Sequence, residues 1–261
     1  MPDDRTGTSA GDPAASIRLL WRARLAQPAA RPGPRPTLSV DRLVEAAIEL
    51  ADAEGMTALT MRRLAERLAT KPMSLYRYVP GRAELVDLML DRVYEGMPRT
   101  PHGGTDWRAR VRALADANRA LYLAHPWAAE LSTLRPPLGP GQLAKYEHEL
   151  GAFAGSGLSD REVDDALTLV LSFVRANAAD ALAAERSRAA SGLDDRGWWA
   201  VAGPILSGLV TDDAYPLASR IGSAAGEARG SAHDPEHAYE FGLEVILSSL
   251  GVLAAGASDA G

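Results

Sequence analysis

The sequence has no cysteine in 261 residues, which excludes disulfide bonds and thiolate metal sites. It also has no stretch of 18 consecutive apolar residues, so we expect no membrane-spanning helix and no membrane partner. The N-terminal segment, MPDDRTGTSAGDPAAS, is acidic and polar and lacks the apolar run of a signal peptide. These absences favour a cytoplasmic globular protein whose length allows two domains.

Signatures of common enzyme classes are missing too. We find no G-x-S-x-G motif, no Walker loop and no strand-borne G-x-G-x-x-G motif. Aspartate pairs at 164–165, 194–195 and 212–213 suggest the metal-diphosphate site of a helical prenyl enzyme. The third acid that such a site needs is absent after each pair, where the chain has Thr168, Trp198 and Pro216. We therefore predict that the protein is not an enzyme.

One histidine pair has a spacing that occurs in metal sites, His233-Asp-Pro-Glu-His237. It lies in a polar loop at the start of a predicted helix and has no cysteine to support it. We expect no metal ion and no cofactor.

A basic stretch runs from Thr60 to Arg82, against the overall sign of the chain. It holds six Lys/Arg and one acid, Glu66, a local charge of +5 in a chain of net charge −6. Two short amphipathic segments flank a tight break in this stretch. A compact, positively charged helix pair is typical of proteins that bind a polyanion, and it predicts sequence-specific binding to DNA.

Residues 1–38 form an N-terminal extension that we expect to be mostly unstructured, with a short amphipathic helix between Ile17 and Leu25. The segment 28–36, PAARPGPRP, contains four prolines and should be extended. Two interpretations stay open for it. It is either a disordered linker or a basic arm that contacts DNA through Arg31 and Arg35.

Helical periodicity and capping residues predict four helices after the extension. Ser39 caps the first, which Gly55 ends, and Thr60 caps the second. Pro72 suits the first position of a short third helix over 73–78. The fourth begins near Arg82 and runs to about Met97. Leu43, Leu64, Leu75, Val79, Leu85 and Met89 are among the expected core residues.

The rest of the chain is helical in pattern throughout, so the predicted fold class is all-α. Ser159 and Glu162 form a capping box at the start of a long helix. Residues 211–234 are polar and glycine-rich and are predicted to form a loop. The predicted helices span 105–124, 126–134, 139–155, 159–188, 196–210 and 235–256.

The segments LTMRRLAERL and MSLYRYVPGRAELVDLML resemble the DNA-binding unit of the tetracycline-repressor (TetR) family. The body, with DWRARVRALADANRALYLAHPWAAEL and FGLEVILSSL, resembles the family's C-terminal domain. The resemblance implies a helix-turn-helix domain at 39–84 and a ligand-binding and dimerisation domain at 85–261. Ala69 stands where the family usually has glycine. A left-handed conformation there costs about 1 kcal/mol, so we expect a slightly different turn.

The resemblance also implies which residues contact DNA. Arg62 would bind a guanine edge or the backbone, and Lys71 and Arg82 would clamp phosphates on either side. The third helix would lie in the major groove and contact base edges or phosphates through the following residues: Pro72, Met73, Ser74, Tyr76, Arg77 and Tyr78.

Aromatic and amide residues on the apolar body helices are candidates for an effector pocket: Tyr122, Trp127, Tyr146, Phe173, Asn177 and Trp198. Plain core packing explains the same residues. We further expect Trp127, Trp198 and Trp199 to line one cavity.

The resemblance implies a cytoplasmic homodimer that binds a palindromic operator and is released from it by a small molecule. The helices 159–188 and 235–256 carry more apolar surface than one protomer can bury, and are predicted to pair across a two-fold axis. The alternative is an all-α sensor, adaptor or enzyme without DNA binding.

Overall fold

The computed structural model describes residues 7–25, 38–103, 106–131, 133, 135–210, 213–229 and 234–258. Arg31, Arg35 and His233 lie outside these ranges, as do Thr105 and Asp212. The described residues form helices and connecting turns without a β-strand, which agrees with the predicted all-α class. The first six helices are α1 Pro13–Leu20, α2 Arg22–Leu25, α3 Val40–Glu54, α4 Met61–Arg67, α5 Pro72–Leu75 and α6 Arg82–Glu95.

The remaining helices form the body of the protein. α10 packs against α7 and α13, and α9 packs against α6. We call α3–α5 the head, and α6 connects the head to the body. The body helices are α7 Trp107–Ala124, α8 Pro126–Glu130, α9 Pro140–Gly151, α10 Asp160–Ser191, α11 Asp195–Ser207, α12 Pro216–Arg229 and α13 Pro235–Ser258.

Local capping signals place the ends of the head helices where the sequence predicts them. The side chain of Ser39 accepts a hydrogen bond from the backbone of Arg42 at 3.2 Å, and that of Thr60 accepts one from Arg63 at 3.2 Å. Gly55 ends α3 with a φ of 78°. The capping box of Ser159 and Glu162 is also present. These predictions are confirmed because each signal acts within four residues.

Two parts of the predicted secondary structure are wrong. The predicted loop contains α12, whose Pro216 starts the helix and whose alanines outweigh its two glycines in helix propensity. The N-terminal extension, predicted to be mostly unstructured, is ordered over 7–25, where Asp12 caps α1 by accepting from the backbone of Ala14. The helix predicted between Ile17 and Leu25 is confirmed within it by α1 and α2. We call residues 7–25 the strap.

Two carboxylates of α6 hold the strap. Asp87 accepts hydrogen bonds from the backbone of Ser9 and the hydroxyl of Ser16, both at 2.7 Å. Glu84 accepts one from the backbone of Asp12 at 3.0 Å. Trp21 donates to the carbonyl of Leu138 at 2.7 Å, so the strap bridges α6 and the loop that precedes α9.

We expect Asp87→Ala to release the strap. The variant removes both acceptors, which costs about 1–3 kcal/mol of docking and should speed tryptic cleavage after Arg18 by roughly 5–150-fold. Asp87→Asn should keep the strap docked, because burial already raises the pKa of Asp87 and an amide still bonds to both partners. Asp41→Ala, which removes the exposed partner of Arg22, is the control and should change the rate little. Equal cleavage of Asp87→Ala and the wild type would contradict the role of Asp87.

Two helices, 160–191 and 235–256, are long and apolar enough to cross a membrane by length and composition alone. About a third of each apolar window is buried inside the protomer. The buried face of α13 packs on the body through Leu243, Leu247 and Leu250, while Phe241, Val245 and Val252 on the other face are exposed. The apolar residues of these helices therefore form two surfaces, one that packs inside the protomer and one that is exposed.

Candidate functional site

The turn between α4 and α5 fixes how α5 is presented. Leu64 and Leu75 pack fully buried on either side of it, and the backbone of Thr70 donates to the carbonyl of Ala65 at 2.9 Å. Ala69 has a φ of 50°, in the left-handed region. The expectation of a different turn was wrong, because the fold imposes this conformation on an alanine despite its cost.

We expect Ala69→Gly to stabilise the head by about 0.5–1 kcal/mol, since the relief of left-handed strain exceeds the added freedom of the unfolded chain. Gly55→Ala is the matched opposite: a Cβ at Gly55 meets no atom within 4 Å, so only backbone strain makes it destabilising. Urea denaturation of both variants at equal protein concentration measures the difference. If Ala69→Gly lowers the unfolding free energy, strain at the turn is not the dominant effect.

The structure brings together the predicted DNA-contacting residues of α5 and its flanks. Lys71, Pro72, Met73, Tyr76 and Arg77 are exposed, and Met73 is 75% exposed although it is apolar. Ser74 is half-buried. Tyr78 is half-buried against the core, with its backbone bonded to the carbonyl of Leu75. We call the exposed residues together with Arg62 and Ser74 the reading surface.

Arginines around this surface differ in what holds them. Arg62 has an exposed ion pair of 3.0 Å to Glu66 on its own helix. Arg63 pairs with Glu54, and Arg67 pairs with Glu49, which ties α4 to α3. Arg82 donates to the carbonyls of Leu59 and Met56 at 3.0 and 3.1 Å.

Arg82, the predicted phosphate contact, therefore also stabilises the fold itself. Its guanidinium joins the start of α6 to the segment between α3 and α4. The predicted contacts of Arg31 and Arg35 lie outside the described residues.

The six predicted effector residues have different surroundings in the described part of the chain. Trp127 is buried, and its Nε1 donates to the Asp52 carboxylate at 2.7 Å. Asn177 accepts from Arg119 and donates to the carbonyl of Pro235. The other four are placed as follows: Tyr122 buried beside Tyr94, Tyr146 bonded to Asp164, Phe173 stacked on Tyr239, and Trp198 half-exposed and edge-on to Trp199.

The prediction that Trp127, Trp198 and Trp199 share a cavity is wrong. Trp127 packs in the core, whereas α11, which carries the other two, has no buried residue. Trp127→Ala and Asn177→Ala therefore remove hydrogen bonds of the fold itself. His237 stacks on Phe241, and the described residues contain no group of three metal-ligating side chains.

A different cavity lies where the chain leaves α6. It has a volume of about 450 Å³, within the usual range for small-molecule sites. We call it the loop cavity, since the segment 97–103 forms one side of it. α7 contributes Ala109, Ala113, Leu114 and Asn118, and α9 contributes Lys145 and His148.

A buried polar cluster forms one end of the loop cavity. Lys145 and Glu149 make an ion pair of 2.6 Å, and both side chains are about 95% buried. Asn118 donates to Glu149 at 2.6 Å. Burial lowers the pKa of Lys145, although Glu149 opposes the shift. The Nζ of Lys145 also lies 5.0 Å from the ring centroid of Tyr94 on α6, so the cluster contacts the connecting helix.

Two histidines form another part of the lining. The rings of His102 and His148 stack with their centroids 4.3 Å apart. Burial and the neighbouring His102 lower the pKa of His148, so this ring is neutral at physiological pH. Sequence reasoning missed these residues, because the segment 97–103 reads only as a break between helices. The one sequence signal was alanine at every fourth position of α7, at 109, 113 and 117.

The head also contacts the body through the carboxylate of Asp52. Asp52 of α3 accepts from Trp127 and lies 2.9 Å from the Nδ1 of His125, at the junction of α7 and α8. A second cavity, of about 560 Å³, opens beside this contact between α3, α6 and α7. The Asp52 carboxylate thereby links α3 to the junction of α7 and α8.

A helix-turn-helix head joined by one helix to a larger helical body is typical of DNA-binding regulators that carry both parts in one polypeptide. The comparisons identify the family. Residues 43–89 match the family profile described as bacterial regulatory proteins, tetR family. Residues 100–254 match that of the tetracyclin repressor-like C-terminal domain. The chain belongs to the tetracycline-repressor family.

Named relatives agree with this assignment. The chain is 39% identical to the HTH-type transcriptional repressor DrrR1 of Streptomyces coeruleorubidus, over 95% of this chain and 89% of that protein. It is 26% identical to the class C tetracycline repressor protein of Escherichia coli, over 82% and 90% of the two chains. The structure of ActR from Streptomyces coelicolor in complex with actinorhodin superposes with a TM-score of 0.68 at 29% identity, covering 87% of this chain and all of that one.

The protein is therefore a ligand-responsive, DNA-binding transcriptional repressor. Regulators of this family bind DNA operators and small-molecule effectors and form dimers, and they are not enzymes.

Proposed function

We propose that the reading surface enters the major groove of a palindromic operator and that a ligand in the loop cavity releases the protein from it. The observation that carries the proposal is the exposure of Met73 on α5 and of Tyr76 and Arg77 in the turn after it, while Leu75 beside them is fully buried. Such a helix is rigidly held and yet leaves its side chains free to reach base edges.

Arg62 and Tyr76 are the proposed specificity contacts. Arginine binds guanine with two hydrogen bonds. To make this contact, the Arg62 side chain would have to break only its exposed ion pair with Glu66. Lys71 and Arg77, both exposed, are proposed to contact phosphates or base edges. We propose 39–84 as the DNA-binding part and 85–261 as the effector and dimer part, with the boundary inside α6. A regulator of this kind acts in the cytoplasm.

We expect Arg62→Ala and Tyr76→Ala each to weaken operator binding by roughly 1–3 kcal/mol with little effect on non-specific DNA. Lys71→Ala should weaken binding to all sequences alike and reduce the salt slope by about one unit. Arg67→Ala, which removes an intramolecular ion pair, is the matched control. Titration of operator and scrambled duplexes at several salt concentrations measures these effects. Unchanged operator affinity in both Arg62→Ala and Tyr76→Ala would place the reading surface elsewhere.

The loop cavity is proposed as the effector site because of where it lies. Its lining starts at Met97, two residues after α6 ends, and includes Lys145, which contacts Tyr94 of α6. A ligand there changes the surroundings of the helix that carries the head. By linkage, a ligand that weakens DNA binding by a given factor must itself bind the DNA-free form more tightly by the same factor.

The proposed dimer uses the uncovered faces of α10 and α13. Leu169, Ser172 and Ala176 are exposed along one stripe of α10, and Phe241, Val245 and Val252 along one stripe of α13. α10 and α13 pack against each other within the protomer, so these stripes belong to adjacent helices. Four helices from two copies would bury them, and the two-fold axis implies an operator with two related half-sites.

A further inference from the structure

The described lining of the loop cavity carries positive charge. Arg99, Arg110 and Lys145 belong to it, and none of the described lining residues is an aspartate or glutamate, in a chain of net charge −6. Glu149, which is not among the described lining residues, neutralises Lys145 in a buried ion pair. Among the residues that the structure describes, no carboxylate forms an ion pair with Arg99, whose terminal nitrogens donate to the carbonyls of Glu95 and Tyr94. The cavity therefore offers an uncompensated cation to whatever enters it.

Two buried atoms of the lining residues have no hydrogen-bond partner within the described part of the chain. They are Nε of Arg99, a donor, and Oδ1 of Asn118, an acceptor. Asn118 is only 1% exposed and is held by bonds from its Nδ2 to Leu114 and Glu149. Buried polar groups are normally paired, so this donor and this acceptor point to a ligand that satisfies both.

The walls of the cavity are flat. Ala109, Ala113 and Ala117 recur every fourth residue along α7, so this row of the wall has no side chain beyond Cβ. Arg110, Leu114 and Asn118 of α7 line the cavity beside this row. The stacked rings of His102 and His148, inclined by 15°, provide another planar surface. Flat walls of small and aromatic groups fit a planar ring system better than a branched or flexible chain.

We infer that the loop cavity binds a planar aromatic acid, whose carboxylate or ionised phenol accepts from Arg99 and whose hydroxyl donates to Asn118. This inference rests on the proposed function, and names the chemical class of its effector. A charged acceptor strengthens the bond to Arg99, and the guanidinium is already fixed by the end of α6, so little order is lost on binding.

Calorimetry with two matched probes tests the inference on the full-length protein. The probes are 6-hydroxy-2-naphthoate and 6-hydroxy-2-naphthamide, which share ring and hydroxyl and differ in charge. We expect the naphthoate to bind about tenfold more tightly than the amide. In Arg99→Gln this ratio should fall to about one. Arg62→Gln, the same charge change on the reading surface, should leave the ratio unchanged.

A second variant separates charge from space. Ala113 is an exposed residue of the wall, so Ala113→Phe fills the cavity without disturbing the core and should weaken both probes at least about tenfold. Equal binding of the two probes would overturn the acid as the ligand class while leaving the cavity as the effector site. Absence of binding by either probe at about 1 mM would overturn both. Neither result bears on the proposed DNA contacts, which the operator titrations test separately.

Discussion

Val245→Asp is expected to convert the dimer to monomers and to weaken operator binding by roughly 100-fold to 10,000-fold. Val245 is 48% exposed in the middle of the uncovered stripe of α13, so the protomer tolerates aspartate there but an interface does not. A monomer holds one head on one half-site and loses the gain from simultaneous binding.

Sedimentation and operator titration measure the two effects. Leu143→Asp is the control, because Leu143 is 44% exposed on α9, outside the proposed interface. Leu250, on the same helix as Val245, is 5% exposed and packs inside the protomer. A charged residue at position 250 would therefore destabilise the core of the protomer and would not report on the dimer interface. Val245→Asp that sediments as a dimer and binds operator normally would exclude this face.

Lys145→Ala should destabilise the body by about 3–5 kcal/mol, because it leaves the Glu149 carboxylate buried without its cation. The double variant Lys145→Met/Glu149→Leu should recover most of this loss, since neither charge then has to be buried. Urea denaturation at equal protein concentration measures both.

Arg186→Ala is the control for this prediction. It breaks an exposed ion pair of similar length, 3.0 Å to Glu130, and should cost less than about 1 kcal/mol. If Lys145→Ala costs no more than Arg186→Ala, the buried pair contributes nothing beyond an exposed one.

The head was predictable because its signals are local. Ser39, Gly55, Thr60 and Pro72 each act on a helix end within a few residues, and the apolar period of α3, α4 and α6 is regular. The family resemblance placed the reading helix in the same stretch. The expected contact residues of α5 are exposed in the structure, while their binding to DNA stays a prediction.

The polar cluster of the body was not predictable in the same way. Lys145 and Glu149 are four residues apart on α9, a spacing typical of an exposed helix pair, yet both are buried by α6 and α7. Glu84 and Asp87 likewise look like surface acids of α6, although the strap, more than 70 residues earlier in the sequence, covers them. Only tertiary contacts distinguish these positions from solvated ones.

The sequence alone does not assign the effector residues, because an aromatic or amide side chain on an apolar helix can serve either core packing or ligand binding. Trp127 and Asn177 meet their hydrogen-bond needs inside the fold, through Asp52, Arg119 and Pro235. Arg99 and Asn118 each keep one buried atom without a hydrogen-bond partner. Arg99 lies just after the end of α6, and Asn118 lies in the middle of α7 beside charged residues. Sequence shows which groups are polar, and the fold decides which remain unpaired.

The contact of Asp52 with His125 and Trp127 limits how freely parts can be exchanged between relatives. A chimera that joins this body to a foreign head inherits Trp127, whose buried indole requires an acceptor at the position of Asp52. A donor head with an apolar residue there would leave the indole N–H unsatisfied and the two halves uncoupled. Such a hybrid would still read its operator but would respond weakly to effector, and restoring aspartate at that one position should recover the response.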